Sequence, residues 1–266
     1  MSGFPLRYNS SLPKIWLIGG TKDSAEIAKA IADIQVPIIV TVTTPSAKNL
    51  YLSDCSVIVG CFSGEEMACF CRQEEIIAII DASHPFATEV SQNAIAIAKL
   101  QNIPYLRYER NSCQLLANNQ FLTLDSFDAL LKGDYLSGQR VLLTVGCKVL
   151  PKFKTWHQDA ILFTRVLPKV NSLQIALDSG FTSDRIMAIR PPVSAELETV
   201  LWRQWNISLV ITKASGKPGG EDIKRQVAKG LGVRLITIAR PKIFYPEQTS
   251  CIKKIMAFCH QYNPNK

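Results

Sequence analysis

The chain has 266 residues and a formal net charge of +8; 47% of its residues are hydrophobic and 20% are charged. This length and apolar content suffice for one or two domains with a sizeable core and exclude a disordered chain. Residues 1–14 contain no apolar signal-peptide core, and no apolar run approaches the roughly 20 residues that span a bilayer. We therefore expect a cytoplasmic protein without a membrane partner.

Short β-type and helical segments alternate through the first half of the chain. Apolar, β-branched runs predict strands at residues 14–20, 38–44, 56–62, 78–83 and 104–110. Apolar residues at helical spacing predict helices at 21–34, 65–72 and 86–101. Strands that are continuously apolar and separated by helices indicate a parallel sheet covered on both faces.

The same alternation restarts after a polar, turn-rich stretch at residues 111–120. Strands are predicted at 121–124, 140–145, 161–167, 185–190, 209–214 and 234–240, and helices after Asp125-Ser126 and at 171–179, 194–206 and 220–231. We therefore predict an α/β protein with two Rossmann-like domains and mainly parallel sheets, at residues 14–115 and 116–260.

The positive charge is concentrated in the second half of the chain. Residues 1–115 carry 9 Lys and Arg against 11 Asp and Glu, whereas residues 116–266 carry 21 against 11. This excess suggests an anionic ligand or partner, or else a solvated basic face. A nucleic acid is disfavoured because the sequence has no basic tract and no RNA-binding aromatic motif.

The eight cysteines form no C-x-x-C pair and do not cluster with the three histidines. A zinc site needs paired ligands at short spacing. We therefore predict no metal site and expect reduced, mostly buried thiols.

Parallel sheets bind ligands outside the carboxyl ends of their strands, so the residues that follow each strand are informative. Gly19-Gly20-Thr21 follows the first strand and opens a helix, where a cofactor phosphate can meet backbone N–H groups. An ordinary tight turn with Thr21 as helix N-cap explains the same residues. Thr44, Ser46 and Lys48 follow the second strand, at a position where NAD-binding domains carry an acid. Hydroxyls and a lysine in place of that acid favour binding of the 2′-phosphate of NADP. The alternative is a polar surface loop that binds no ligand.

Two further strand ends carry polar groups. Asp81, Ser83 and His84 follow the fourth predicted strand, and their crowding favours a functional role over simple turn bracing. Lys213-Ala214-Ser215-Gly216 follows a strand of the second half, where a lysine and a serine beside a glycine can bind a phosphate or carboxylate, or can form a solvated loop.

Taken together, these segments resemble the precorrin-6A reductase family of cobalamin biosynthesis. The segment from Asp81 to Ala87 is similar to the D-A-T-H-P-F-A signature of the family, with Ser83 in place of Thr. The resemblance extends from Ile15 to Pro241 and includes these further elements: Gly19-Gly20-Thr21, Pro104–Arg107 with Glu109-Arg110, Lys213–Gly216 and Arg240-Pro241.

The sequence departs from the family pattern at three places. The stretch from Ile58 to Gly64 lacks the arginine of the family's R-x-G-x-F-G-G and has Ser63 for a glycine, although Gly60 is kept. Ala214 and Lys217 break the K-N-S-G-G element, and Asn111 replaces a proline. These changes affect fine contacts to cofactor or substrate more than the fold.

The resemblance implies a reductase whose active site lies in the cleft between two domains. Its expected activity is transfer of a hydride from NADPH, or NADH in some members, to precorrin-6A or its cobalt complex, which gives the 6B form. The substrate would be an anionic tetrapyrrole with many carboxylates. A non-catalytic dinucleotide-binding sensor of the same fold is the alternative, and the residues leave open the oligomeric state and the metal status of the substrate.

The resemblance also implies roles for particular residues. The cofactor would be bound by Gly19, Gly20, Thr21 and Gly60, together with Thr44, Ser46 and Lys48. His84, with Asp81 nearby, would line the reacting centre, either as proton donor or by orienting a carboxylate. Substrate contacts would come from Ser83, Arg107, Lys213, Ser215 and Gly216.

Overall fold

The structure is a computed structural model that describes residues 12–52, 55–111 and 119–263. The chain divides by internal packing into two units: a first unit of Met1–Arg110 with Lys242–Lys266, and a second unit of Asn111–Pro241. Each unit contains a six-stranded sheet among the described residues, and all strand pairs in both sheets are parallel. The predicted fold class of two parallel α/β domains is confirmed.

Strands and helices alternate through most of the chain. The strands are β1 (Lys14–Ile18), β2 (Ile38–Val42), β3 (Val57–Val59), β4 (Ile76–Asp81), β5 (Tyr105–Tyr108), β6 (Phe121–Leu124), β7 (Arg140–Thr144), β8 (Ile161–Val166), β9 (Ile186–Ala188), β10 (Leu209–Lys213), β11 (Arg234–Ile238) and β12 (Gln248–Thr249). The α-helices are α1 (Lys22–Ala32), α2 (Pro45–Lys48), α3 (Gly64–Gln73), α4 (Thr88–Leu100), α5 (Phe127–Lys132), α6 (Val170–Asp178), α7 (Ala195–Gln204), α8 (Glu221–Leu231) and α9 (Ile252–Gln261).

The sheet of the first unit has the strand order β12-β5-β4-β1-β2-β3. From β1 the chain proceeds to β2 and β3 on one side, and then returns to place β4 and β5 on the other. The order therefore reverses between β1 and β4, which are directly paired, with Ile18 opposite Asp81. The carboxyl ends of these two strands form the topological switch point, where open parallel sheets bind ligands.

Alternate side chains of β1 supply the cores on the two faces of this sheet. Ile15 and Leu17 pack in the cluster that contains residues of α1 and α9. Trp16 and Ile18 pack in the opposite cluster, with residues of α3 and α4. All four side chains are buried, and burial of an apolar side chain of this size contributes about 1.5–3 kcal/mol. This packing holds the strand ends of the switch point in place.

The sheet of the second unit has the order β6-β11-β10-β7-β8-β9. Its strand order reverses between β7 and β10, which pair from Val141 opposite Leu209 to Thr144 opposite Thr212. The second unit therefore has its own switch point, and the segment from Lys213 to Gly216 follows one of the two strands that form it.

The end of the chain differs from the predicted domain boundary at residue 260. The segment after Pro241 returns to the first unit, where β12 pairs with β5 and α9 packs against α1. Local sequence patterns do not encode this because strand pairing depends on partners more than 100 residues away. The predicted boundary between residues 115 and 116 lies outside the described residues.

Seven of the eight cysteines lie in the described residues, and all seven are free thiols. The expectation that they are mostly buried is wrong: Cys71 and Cys259 are buried, whereas Cys61 and Cys251 are exposed and the other three are half-buried. Among the described helices, none has the length and apolarity needed to cross a membrane.

Candidate active site

The glycine turn after β1 begins the candidate site. Gly20 has φ of +102°, in the left-handed region that glycine adopts at little cost. Thr21 is the N-cap of α1, because its Oγ1 accepts from the backbone N–H of Ser24 at 3.0 Å while Ser24 Oγ accepts from the N–H of Thr21 at 3.0 Å. Thr21 Oγ1 also lies 3.1 Å from the carbonyl oxygen of Ala82, to which it can donate. This contact joins the turn after β1 to the segment after β4.

The hydroxyl of Tyr51 lies against this turn. It accepts a hydrogen bond from the N–H of Gly20 at 2.7 Å and shares another with Ser24 Oγ at 2.6 Å. A Cβ atom at Gly19 would overlap the same hydroxyl oxygen, so a side chain at this position would displace Tyr51 from the turn. Burial raises the pKa of Tyr51, which keeps the hydroxyl neutral.

The amides of Gly19–Thr21, predicted to bind phosphate, are thus engaged within the chain. The N–H of Gly19 donates to the carbonyl oxygen of Thr41 at 2.9 Å. The N–H groups of Gly20 and Thr21 donate to the side-chain oxygens of Tyr51 and Ser24. By helix geometry, the N–H groups of Lys22 and Asp23 in the first turn of α1 have no partner within the helix. The space beside Gly20 is open, since a Cβ there would meet nothing within 4 Å. An anion can therefore approach the helix N-terminus beside Gly20.

An ion pair lies at the same end of α1. Arg110, which follows β5, places its Nε 3.1 Å from the Oδ2 of Asp23 in the first turn of the helix. Both side chains are largely buried, with 11% and 14% of their surface exposed. The guanidinium offsets the negative charge that Asp23 would otherwise present at this helix end.

The other residues predicted to bind the cofactor follow β2, where a 2′-phosphate was expected, and β3. Thr44 is the N-cap residue of α2, and its Oγ1 lies 3.2 Å from Ser46 Oγ. Lys48 ends α2 and is exposed. Gly60 follows β3, and its N–H donates to the carbonyl oxygen of Val42 at 2.9 Å. The structure places these residues at the same carboxyl edge of the sheet as Gly20.

Asp81, the last residue of β4, is completely buried. Its Oδ1 accepts hydrogen bonds from Arg107 Nη1 at 2.8 Å and the N–H of Ser83 at 2.9 Å. Its Oδ2 accepts from Ser91 Oγ at 2.6 Å and Tyr105 Oη at 2.8 Å. This buried carboxylate accepts from four donors, one of them a guanidinium, and it has no remaining open face for a substrate.

Arg107 is also removed from the surface, with 1% of its side chain exposed. Besides Asp81, its guanidinium donates to Ser83 Oγ at 3.0 Å and to Glu109 Oε2 at 2.9 Å. The ring of Tyr245 lies 5.3 Å from its central carbon, in cation–π geometry. The structure therefore places Arg107 and Ser83, both predicted to contact substrate, in a buried network with Asp81.

His84 is the exposed member of this segment. The N–H of Phe86 donates to His84 Nδ1 at 3.2 Å, and the N–H of Ala87 donates to the carbonyl oxygen of His84 at 2.7 Å. Because Nδ1 accepts this hydrogen bond, the proton of the neutral ring is on Nε2, which makes His84 a hydrogen-bond donor. The network of Asp81 and Arg107 holds the preceding Ser83 and thereby fixes where the imidazole is presented.

Lys213 ends β10 at the switch point of the second unit. Its pKa is lowered from the ordinary value to about 8, mainly because of burial, while the nearby Cys147 raises it and Lys148 lowers it. Its Nζ lies 5.8 Å from the centre of the Phe127 ring. Lys213 therefore changes charge close to physiological pH.

The loop after Lys213 is held from inside the second unit. Ser215 is buried, and the N–H of Gly216 donates to Glu221 Oε2 at 2.9 Å. Lys224, with 2% of its surface exposed, donates from Nζ to the carbonyl oxygens of Gly219 at 2.8 Å and Gly220 at 3.1 Å. Of the three predicted residues here, Lys213 is the least enclosed.

The structure thus brings the Gly19–Thr21 turn and the Asp81–His84 segment together at one switch point, and it places Lys213–Gly216 in the second unit.

The prediction missed several residues of the first group: Tyr51, Ser91, Tyr105, Arg110 and Tyr245. Only Tyr105 and Arg110 lie in motifs visible in the sequence. Ser91 lies on α4, close to Asp81 along the chain, whereas Tyr51 and Tyr245 come from segments whose partners are distant along the chain. In the parts of the chain that the structure describes, no group of three or more His, Cys, Asp or Glu side chains could hold a metal ion.

Comparison with protein families gives one match over nearly the whole chain. Residues 14–260 match the family described as precorrin-6x reductase CbiJ/CobK. A relative from Synechocystis sp., named cobalt-precorrin-6A reductase, is 45% identical over 96% of this chain and 99% of its own length. A relative of the same name from Priestia megaterium is 33% identical over 91% of this chain and 96% of its own.

A solved structure shares the fold. The structure titled CobK precorrin-6A reductase superposes with a TM-score of 0.78, covering 94% of this chain and 97% of the other, at 20% sequence identity. The two-unit parallel α/β architecture described above is therefore also found in that protein.

Proposed function

The chain belongs to the precorrin-6x reductase CbiJ/CobK family, and from this we propose that it reduces one ring double bond of cobalt-precorrin-6A, with NADPH as the hydride donor. The cobalt-bound form is proposed because the relatives from Synechocystis sp. and Priestia megaterium are both named for it. The observation in the structure that carries the proposal is the switch point of the first unit, where an open helix N-terminus adjoins the segment that carries an exposed imidazole.

The residues at this switch point fit a dinucleotide. An open space beside Gly20, the first-turn amides of Lys22 and Asp23, and the Arg110 guanidinium together suit a phosphate at the N-terminus of α1. The Gly19–Thr21 turn contributes mainly through its shape, since its own amides are engaged within the chain. When bound, the nicotinamide supplies the hydride, and the protein supplies orientation and electrostatics.

We propose that NADPH is preferred over NADH because of the edge formed by β2 and β3. Thr44 and Ser46 offer hydroxyls and Lys48 offers an exposed ammonium, without an acid to repel a 2′-phosphate. Gly60 keeps the neighbouring strand end free of a side chain. NADH lacks the 2′-phosphate and gains nothing from the lysine.

His84 is proposed to orient the substrate at the reacting centre. Its Nε2–H can donate a hydrogen bond to a carboxylate of the macrocycle, while the bond from Phe86 keeps Nδ1 in the acceptor state. Proton donation from a charged ring would require a proton on Nδ1 and the loss of that bond. Asp81, Ser83 and Arg107 are positioning residues in this account, because they are buried below His84.

Lys213 is proposed to bind a substrate carboxylate, with Ser215 and Gly216 shaping the loop that carries it. The protonated ammonium is a direct partner for an acetate or propionate group. Between residues 111 and 241 the chain carries 17 Lys and Arg against 10 Asp and Glu, so the second unit as a whole favours an anionic ligand.

The proposed activity is tested by NADPH oxidation with cobalt-precorrin-6A and metal-free precorrin-6A side by side, and with NADH in place of NADPH. Faster turnover of the cobalt form with NADPH is the expected result.

Lys48→Ala should raise the KM for NADPH about tenfold or more and leave that for NADH unchanged, because one charge-assisted contact contributes about 1.5–3 kcal/mol. Equal effects on both cofactors would contradict the role of Lys48, and no turnover with either substrate would contradict the proposed activity.

A further inference from the structure

The segment that returns from the second unit to the first carries a tyrosine onto the buried network below His84. Tyr245 lies between Pro241, where the second unit ends, and β12, which pairs with β5. Its half-buried ring packs against the core cluster of the first unit that contains Tyr105. The preceding residue, Phe244, is 92% exposed. The two adjacent side chains therefore face opposite ways, Phe244 toward solvent and Tyr245 toward the core.

Tyr245 contacts the network at two points. Its ring lies 5.3 Å from the central carbon of Arg107, in cation–π geometry. Its hydroxyl is hydrogen-bonded to the side chain of Ser91. Arg107 donates to Asp81 Oδ1, and Ser91 donates to Asp81 Oδ2. A single tyrosine thus contacts one donor to each oxygen of the buried carboxylate.

The edge and the faces of the Arg107 guanidinium are held by different groups. Its N–H donors lie in the guanidinium plane and are directed to Asp81, Ser83 and Glu109. The faces of the plane carry no donor, so hydrogen bonds cannot hold them. An aromatic ring over one face supplies that contact and keeps water away from it. Burial raises the pKa of Tyr245, so the ring stays neutral and adds no charge to the network.

The network continues from Asp81 to His84. Asp81 Oδ1 accepts a hydrogen bond from the backbone N–H of Ser83, and Arg107 Nη1 donates to Ser83 Oγ. Ser83 directly precedes His84, and a planar peptide bond joins them. A shift of Arg107 or Asp81 would therefore move the backbone that carries the imidazole.

We propose that Tyr245 is a positioning residue for the reduction: by holding Arg107 and Ser91 around Asp81, it fixes where His84 meets the substrate. The inference rests on the proposed function, in which His84 orients a carboxylate of the macrocycle. The competing explanation is that Tyr245 only anchors the returning segment to the core. The two explanations differ in what loss of the ring does to a molecule that remains folded.

A double-mutant cycle with His84 separates the two explanations. Turnover of cobalt-precorrin-6A with NADPH is measured for the unmodified chain, Tyr245→Leu, His84→Ala and the double variant, at a temperature at which all four are folded. Tyr245→Leu keeps an apolar side chain without the ring, and it should lower kcat/KM about tenfold with NADPH affinity unchanged. In the His84→Ala background the same substitution should cause no further loss, because the two residues act through one chain of contacts. An equal loss in both backgrounds, or an unchanged kcat/KM for Tyr245→Leu, would overturn the proposal.

Two further variants in the returning segment make the result specific. Tyr245→Phe keeps the ring over Arg107 and loses only the hydroxyl, so its kcat/KM should fall about fivefold or less. Phe244→Leu changes the exposed neighbour and should leave both kcat/KM and Tm unchanged. If Phe244→Leu lowers kcat/KM as much as Tyr245→Leu does, the segment does not act through Arg107, and the proposal fails.

The position of the imidazole can also be followed without turnover. The Cε1 proton of His84 is identified in the NMR spectrum by its absence from the His84→Gln variant, and its chemical shift is compared between the unmodified chain and Tyr245→Leu. The proposal predicts a changed shift for this proton, and an unchanged shift would overturn it. A changed shift together with no turnover by the unmodified chain would contradict the proposed function and not the chain of contacts from Tyr245 to His84.

Discussion

At the scale of single residues, Asp81 and His84 have different surroundings although only two residues separate them. Asp81 has no exposed surface and four hydrogen-bond donors, whereas His84 is exposed and donates through Nε2 when neutral. The sequence indicated a polar cluster at this strand end. It could not indicate which member is buried, because the partners Arg107 and Tyr105 come from the next strand of the sheet.

The role of His84 predicts a particular pattern of rescue. His84→Ala should lower kcat/KM about 10- to 100-fold, the value of one hydrogen bond to a charged group, with an unchanged melting temperature. His84→Gln should recover most of the loss, because the glutamine amide is also a neutral N–H donor. Steady-state kinetics on both variants check this. A loss of about 1,000-fold or more that glutamine does not repair would instead identify a general acid.

Lys213 predicts a pH dependence of substrate binding. Because burial lowers its pKa to about 8, the ammonium is present below that pH and is lost as the pH rises through it. The affinity for the anionic macrocycle should therefore be highest near pH 7 and fall between about pH 8 and 9. Corrinoid binding measured by fluorescence quenching across this range tests the point. The Lys213→Met variant should bind the corrinoid weakly at every pH in the range. If its affinity instead falls with pH as much as that of the unmodified chain, another group is responsible for the pH dependence.

At the scale of secondary-structure elements, the central strands were predictable and the last segment was not. β1 and β4 are long apolar runs buried on both faces, so periodicity and composition locate them well. β12 has only two residues, too few for any pattern, and its membership of the first sheet is decided by pairing with β5. The consequence for the site is direct, because the same returning segment carries Tyr245 to Arg107.

The returning segment predicts where a C-terminal substitution acts. Ile255 of α9 has no exposed surface and packs in the core cluster that contains Ile15 and Ile27. Ile255→Ala should lower the free energy of unfolding by about 2–5 kcal/mol and reduce amide hydrogen-exchange protection in β1 and α1. Ile252→Ala, on the exposed side of the same helix, should change it by less than about 0.5 kcal/mol. Equal effects of the two substitutions, or protection lost only in the second unit, would contradict this packing.

At the scale of the whole molecule, the two units carry different charges. The second unit has a net charge of +7 from its 17 basic and 10 acidic residues, and the total of +8 leaves +1 for the first unit. Part of the basic excess of the second half, which the sequence suggested was an anion-binding feature, thus belongs to the segment that returns to the first unit. Charge counted along the chain could not separate these contributions, because the division depends on the tertiary fold.

The central claim, hydride transfer from a nicotinamide to the macrocycle, is tested most directly by isotope transfer. The chain is given NADPH deuterated at the transferable C4 position and cobalt-precorrin-6A in ordinary water, and the product of a single turnover is analysed by mass spectrometry. The account predicts a 6B product that carries one deuterium from the cofactor and one hydrogen from solvent. A macrocycle recovered unreduced, as a non-catalytic dinucleotide-binding protein would leave it, or a reduced product without deuterium, would contradict the account.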